Sequence, residues 1–265
     1  MEPLISVIMG VYNDEKYVNE AIDSILNQTL TNFEFIICND CSTDKSYNII
    51  KSYADKDERI ILINNPVNMG LAQSLNNCIS IAKADYLARM DSDDVSIANR
   101  LEIEYFHMVN NPNITVLGTQ VNYINNNGVT FKTSSLKNLK PKKKDIVKKV
   151  CVIHPTVMMK KNKVIEVGMY SSNELTTRAE DYDLWCKLSS INCEFEILDE
   201  VLFNYREDID GLKKRRYKFR IQECKLKFYW IKQSNMNPLY YAYAVKPLIV
   251  GVIPKNILKI IRKWG

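Results

Sequence analysis

No glycine-rich phosphate loop occurs in these 265 residues: neither GxGxxG nor GxxxxGK[ST] is present. A Rossmann dinucleotide site and a P-loop are therefore excluded, since both cradle phosphate on the backbone of such a loop. Histidine is nearly missing, with only His107 and His154. Cys38 and Cys41 have the spacing of half a zinc site or a redox centre, but no second CxxC completes it. The seven cysteines are odd in number and scattered, which suits reduced thiols in a cytoplasmic protein. No run of about 20 apolar residues exists, so no spanning helix is expected. The apolar stretch 4–9 is too short for a signal core and leads into polar Asn13, Asp14, Glu15 and Lys16, so no secretory leader is expected.

What is present is ordinary for a globular protein: 46% hydrophobic and 25% charged residues, enough for a large core. The net charge of +5 is uneven, with Lys/Arg-dense blocks at 137–149 and 213–227. Such blocks suit anionic partners or solvated faces.

The first hundred residues alternate in type. Strands are expected at 4–9, 33–38, 60–63 and 86–90. Helices are expected at 15–29, around Tyr47, Ile50 and Tyr53, and around Leu75, Cys78, Ile79 and Ala82. Strand–helix repetition predicts a mostly parallel sheet flanked by helices on both faces. Ligands then sit beyond the carboxyl ends of the strands. Those ends carry Tyr12 and Asn13, Asp40, residues 64–68, and residues 91–94. A helix at 100–109 follows, then strands at 114–118 and 121–124. An Asn-Asn-Asn-Gly turn at 125–128 returns the chain through 129–132. Residues 151–159 read as strand-like, 164–167 as a short helix capped by Gly168, 179–188 as a helix, and 194–198 and 201–205 as strands.

The stretch 86–94, Tyr-Leu-Ala-Arg-Met-Asp-Ser-Asp-Asp, carries the most chemistry. An apolar strand stops at three carboxylates, Asp91, Asp93 and Asp94. Hard divalent cations take oxygen ligands, commonly one or two carboxylates plus substrate phosphates. Helix capping is the bland alternative. His154 is either a structural histidine or a group near phosphate or metal. Glu180, Asp181 and Asp183 open a helix, where acids also favour the dipole.

Five pieces in this order resemble the family 2 glycosyltransferases of GT-A fold: 8–13, Asn39 to Asp44, 68–71, 91–94, and Glu180 with Asp181. The resemblance spans about 5–206. It implies a UDP-sugar donor, with Val11 and Tyr12 lining the nucleobase pocket and Asp40 accepting from the uracil N3–H. It further places Asn68 beside the nucleotide and Asp91 at ribose or donor sugar. Asp93, helped by Asp91 and His154, would hold Mn²⁺ or Mg²⁺, and Asp181, with Glu180 beside it, would be the general base. A single displacement with inversion follows from one base and no protein nucleophile. The family often has Pro where Gly10 stands and Gly where Cys41 stands. A nucleotidyltransferase and an inactive sugar-nucleotide-binding module are the rival readings. The former should carry a phosphate loop that residues 8–15 lack.

The expected organisation is a glycosyltransferase domain over 1–211, with a donor half at about 1–110 and an acceptor half at about 111–211. A helical tail covers 212–265. The tail interleaves Lys and Arg with Phe228, Tyr229 and Trp230 and ends as a basic amphipathic segment. This predicts peripheral attachment to an anionic membrane, near a lipid-linked saccharide or glycan acceptor, with a helical cap as the alternative. No nucleic acid is expected, because the acidic crevice repels it.

Overall fold

The computed structural model describes residues 2–149, 151–207 and 217–252. The chain order is β1 (Ile5–Val11), α1 (Val18–Leu26), β2 (Phe33–Asn39), α2 (Ser46–Ala54), β3 (Ile60–Asn64), α3 (Leu71–Ile81) and β4 (Tyr86–Asp91). Then come β5 (Val95–Ser96), α4 (Arg100–Asn110), β6 (Ile114–Ile124), β7 (Thr130–Thr133), α5 (Lys143–Lys148), β8 (Met158–Lys160) and α6 (Lys161–Glu166). The last described elements are α7 (Glu180–Ser190), β9 (Glu194–Arg206), α8 (Tyr217–Gln233) and α9 (Tyr241–Val252).

One sheet runs β3-β2-β1-β4-β8-β6-β9-β5, with β7 paired to β6. β3, β2, β1 and β4 are parallel, as expected from the strand–helix alternation. β8 is antiparallel to both β4 and β6, while β6 and β9 are parallel. The side-chain period of two divides the core. Ile5, Val7, Met9, Phe35 and Ile37 face α1, α2 and α4, whereas Ile8, Ile36 and Cys38 face α3 and the helices that follow α5.

Several boundaries differ from the expectation for identifiable reasons. α1 starts only at Val18, because residues 14–17 are drawn into the loop before α2: Glu15 N–H donates to Asp44 at 3.0 Å, and Lys45 N–H donates to Glu15 at 2.9 Å. β6 and β9 are each continuous where two strands apiece were expected. The interrupting polar residues are satisfied within the sheet: the Gln120 amide donates to Leu136 O and Asp199 and accepts from Ser134 Oγ and Leu136 N–H. Residues 151–159 are not one strand. A 3₁₀ turn at His154–Thr156 leaves only Met158–Lys160 paired. Gly168, at φ +80°, ends α6 as expected.

The tail behaves first as a cap. Leu226, Trp230, Ile231 and Ala244 are buried in the core cluster that contains α7. Trp230 Nε1–H donates to Asp183 Oδ1 at 2.9 Å. The aromatic belt expected at a membrane is therefore split: Trp230 is buried, while Phe228 and Tyr229 stay exposed. The basic cluster at 213–216 and the terminus at 257–264 lie outside the described residues. Among the described residues no helix is long and apolar enough to cross a membrane.

Candidate active site

The strand-end loops meet at one edge, and hydrogen bonds join them. Asn13 Oδ1 accepts from Thr43 N–H at 2.7 Å, and Asn13 N–H donates to Ser42 Oγ. Asp40 is buried. Its Oδ1 accepts from Asn65 Nδ2 and Met69 N–H, and its Oδ2 from Gly70 N–H, each at 2.8 Å. A carboxylate has about four lone-pair positions. Three are spent holding the 65–70 loop, so Asp40 builds that loop and keeps one position open at the strand-end edge. Val11 is corrected as a pocket-lining side chain: that side chain belongs to the core, and its carbonyl accepts from Asp40 N–H. Tyr12 and Asn68 are exposed at the same edge. Gly10 matches its surroundings, since a Cβ there would stand 3.0 Å from Leu71 Cδ1 and 3.3 Å from Ser74 Cβ.

β4 delivers the acidic motif. Asp91, Asp93 and Asp94 each offer an oxygen within 4.8 Å of the others. Carboxylate oxygens are the donors that Mg²⁺ and Mn²⁺ take, so the donor set fits such an ion. Burial, then the charges of Asp91 and Asp14, push Asp93 up to about 7. Burial, then Asp91 and Asp93, raise Asp94 well above the usual carboxylate range. Crowded acids of this kind favour a cation among them. Asp94 Oδ1 already accepts from Arg206 N–H at 2.6 Å, leaving Oδ2 buried without a hydrogen-bond partner. That orphaned oxygen is an acceptor that a cation among the three carboxylates would satisfy.

Two arginines that the sequence reading passed over hold this motif. Arg89, buried within β4, forms an ion pair with Asp91. A charged residue inside an apolar strand was the available signal. Arg206, at the end of β9, donates from Nε to Asp93 O at 2.6 Å and from Nη1 to Asn125 O at 3.0 Å. It also pairs with Glu20 and stacks on Tyr17, 4.4 Å from the ring centre.

A cleft of about 540 Å³ brings Asp91, Arg89, His154, Glu180 and Asp181 together, with Arg178, Tyr123, Tyr205 and Glu207 also on its walls. Arg178, at φ +63°, turns the chain into α7. Asp181 Oδ1 accepts from Tyr182 N–H at 2.7 Å at the start of that helix. Burial is the main cause of a raised pKa at Glu180, and the charge of Asp181 adds to it. Asp183 is committed elsewhere: it accepts from Ser171 Oγ at 2.6 Å and from Trp230 Nε1, and pairs with Lys187.

His154 lines the cleft but is corrected as a metal ligand. Its Nε2 is 2.7 Å from Tyr170 Oη, it packs edge-on to Trp185, and the carboxylate group does not include it. Burial, then Arg89, hold it well below the ordinary histidine range, so it is neutral. It is a structural histidine in the cleft floor.

The sequence profile of glycosyl transferase family 2 matches residues 6–168. The chain belongs to glycosyl transferase family 2. Among its family 2 relatives, a putative glycosyltransferase EpsE of Bacillus subtilis is 35% identical over 257 residues, 97% of this chain and 92% of that protein. The O-antigen biosynthesis glycosyltransferase WbnJ of Escherichia coli is 37% identical, covering 77% of this chain and 79% of its own. The fold matches S. aureus TarS bound to UDP, with TM-score 0.69 and 21% identity over 94% of this chain and 70% of that one. The fold is therefore GT-A, and the family 2 membership makes the chain a glycosyltransferase and sets aside the nucleotidyltransferase reading.

Proposed function

We propose that this glycosyltransferase moves a hexose or N-acetylhexosamine from a UDP-sugar to a hydroxyl of a lipid-linked saccharide or growing glycan, with inversion. The observation that carries the reading is that one cleft holds Asp91 of the acidic motif and the Glu180–Asp181 pair. Two similar proteins support the choice of substrates. WfgD of Escherichia coli, 28% identical over 96% of this chain and 95% of its own, is named a UDP-Glc:alpha-D-GlcNAc-diphosphoundecaprenol beta-1,3-glucosyltransferase. TarS also has a structure with UDP-GlcNAc.

Asp93 and Asp91 would hold Mn²⁺ or Mg²⁺, which when bound supplies positive charge for the leaving diphosphate. Arg89 orients Asp91 through their ion pair. Asp181 takes the proton of the acceptor hydroxyl as its oxygen bonds to the anomeric carbon and the bond to the UDP phosphate breaks. A base must lie within hydrogen-bond reach of that proton, and a carboxylate shifted toward neutrality is a better one. Glu180 is thus the second candidate, whereas Asp183 is structurally spent. Phe228, Tyr229, Leu239 and Ile249 of the C-terminal helices, with Lys232 and Lys246, are exposed and are proposed to rest on an anionic membrane. The division at about residue 211 between catalytic domain and tail belongs to the same proposal.

Calorimetric titration of UDP with Mn²⁺ and with chelator, on wild type and Asp93→Asn, tests the donor half. Tight binding is expected only for wild type with metal, and equal affinity throughout rejects it. Asp181→Asn should keep UDP affinity and lose transfer. Retention of most of kcat moves the base to Glu180.

A further inference from the structure

Three aromatic rings lead outward from the acidic motif, and the proposed reaction gives the outer two no role. Tyr205 lies nearest. Its phenol is held well above the ordinary range, by burial first and then by the charges of Asp91, Asp94 and Asp93. Tyr123 is its cross-strand partner on β6, with ring centres 5.8 Å apart and planes at 72°. Phe131 on β7 follows, 6.4 Å from Tyr123. Both tyrosines line the cleft. Every residue of β7 is exposed, Phe131 to 45%, and neighbouring Val129 to 59%.

Cross-strand aromatic pairing alone would explain Tyr123 and Tyr205. It does not explain an apolar ring left in water on a hairpin beside the cleft. A pyranose has an apolar C–H face, and the negative face of an aromatic ring attracts that positive edge. Such a face stacks on a ring while the sugar hydroxyls stay hydrated. Glu207, also on the cleft wall, offers an acceptor for those hydroxyls. Lys132, exposed and 6.0 Å over Tyr123, is a mobile-headed side chain that a sugar can displace.

We infer that Tyr205, Tyr123 and Phe131 form a stacking track for an oligosaccharide acceptor, running from the reacting hydroxyl out along the β6–β7 hairpin. The acceptor class is thereby a glycan of two or more sugars, not a lone sugar. Tyr205 meets the terminal sugar, Tyr123 the next, and Phe131 the one beyond. This rests on the transferase reading above.

The test uses the full chain, with methyl glycosides of glucose and N-acetylglucosamine and their β-linked di- and trisaccharides, read by saturation-transfer NMR and calorimetry. Affinity should rise about fivefold per added sugar, the increment of one aromatic stack. Phe131→Ala should cancel the gain of the trisaccharide only. Tyr123→Ala should cancel the gain from the disaccharide onward, and Tyr123→Phe should restore it. Thermal melts check that each variant folds, and Phe131 is exposed enough for its loss to be tolerated. Equal affinity for mono- and trisaccharides, an unaltered Phe131→Ala profile, or no saccharide binding by wild type overturns the track. UDP with Mn²⁺ is titrated in parallel on wild type. UDP binding without saccharide binding rejects the track alone, whereas failure of UDP itself rejects the donor reading.

Discussion

Replacing Arg206 with alanine should loosen the acidic motif while every proposed ligand side chain stays in place. Four side-chain interactions vanish, the stack on Tyr17 among them. The hydrogen bonds to Asp93 O and Asn125 O come from a charged donor to main-chain carbonyls. Each contributes about 1.5–3 kcal/mol, and the lower figure applies because both bonds are only part-buried. The ion pair with Glu20 adds at most about 0.5 kcal/mol, since the Glu20 side chain is 51% exposed and screened. The backbone bond from Arg206 N–H to Asp94 survives the substitution. With about 0.5 kcal/mol for the stack on Tyr17, the sum is about 4 kcal/mol, or a fall in Tm of about 8–16 °C for a chain of this size. Arg206→Lys keeps one of the two carbonyl bonds and should lose about half as much. Glu20→Ala should lose less than about 1 kcal/mol. Urea unfolding of the three variants measures these losses, and Mn²⁺ titration by electron paramagnetic resonance reports the motif, where affinity should fall for Arg206→Ala and hold for Glu20→Ala. The reasoning fails if Arg206→Ala is no costlier than Glu20→Ala, or if it unfolds early yet binds Mn²⁺ as wild type does.

Cys41 occupies φ +58°, where a side chain is strained and glycine is not; Cys41→Gly should therefore be stabilising or neutral by chemical denaturation, relief of about 1 kcal/mol being offset in part by the entropy of glycine. A loss above about 1 kcal/mol would show that the thiol makes a contact worth more than the strain. His154 stays neutral in the fold while the unfolded chain takes up a proton below its ordinary pKa of 6.5. Stability should thus be flat above that pH and fall below it by up to about 1.4 kcal/mol per pH unit from this group; His154→Gln should flatten the acid limb, and an identical limb in the variant would contradict a buried neutral imidazole. Trp230→Phe removes the indole N–H from Asp183 but keeps most of the ring, and should cost about 1–3 kcal/mol with UDP affinity unchanged. A loss of UDP affinity would tie α8 to the donor site.

The alternation of strands and helices through the first ninety residues was determined by side-chain period alone. β1 and β2 are mostly apolar on both faces, β4 carries Leu87 on one face and Ala88 and Met90 on the other, and each intervening helix has one apolar stripe, so a parallel layered sheet is the arrangement that buries them. The same chemistry made Asp91, Asp93, Glu180 and Asp181 readable, because acids ending a strand or opening a helix stand out against apolar neighbours. Tertiary structure decided the rest, since those choices depend on partners distant in sequence. Asp40 reads as a ligand group, and only the fold shows that Asn65, Met69 and Gly70 also donate to it. His154 reads as a metal ligand until Tyr170 takes its Nε2. The stretch 151–159 reads as one strand, but the 3₁₀ turn at His154–Thr156 leaves only Met158–Lys160 paired, inserted antiparallel between β4 and β6. Arg206 is one more strand-end residue until β9, β4 and the β6–β7 turn converge on its guanidinium. Local periodicity carries information about which face of an element is buried; which polar groups meet across the molecule depends on long-range closure, and that is set only when the sheet is assembled.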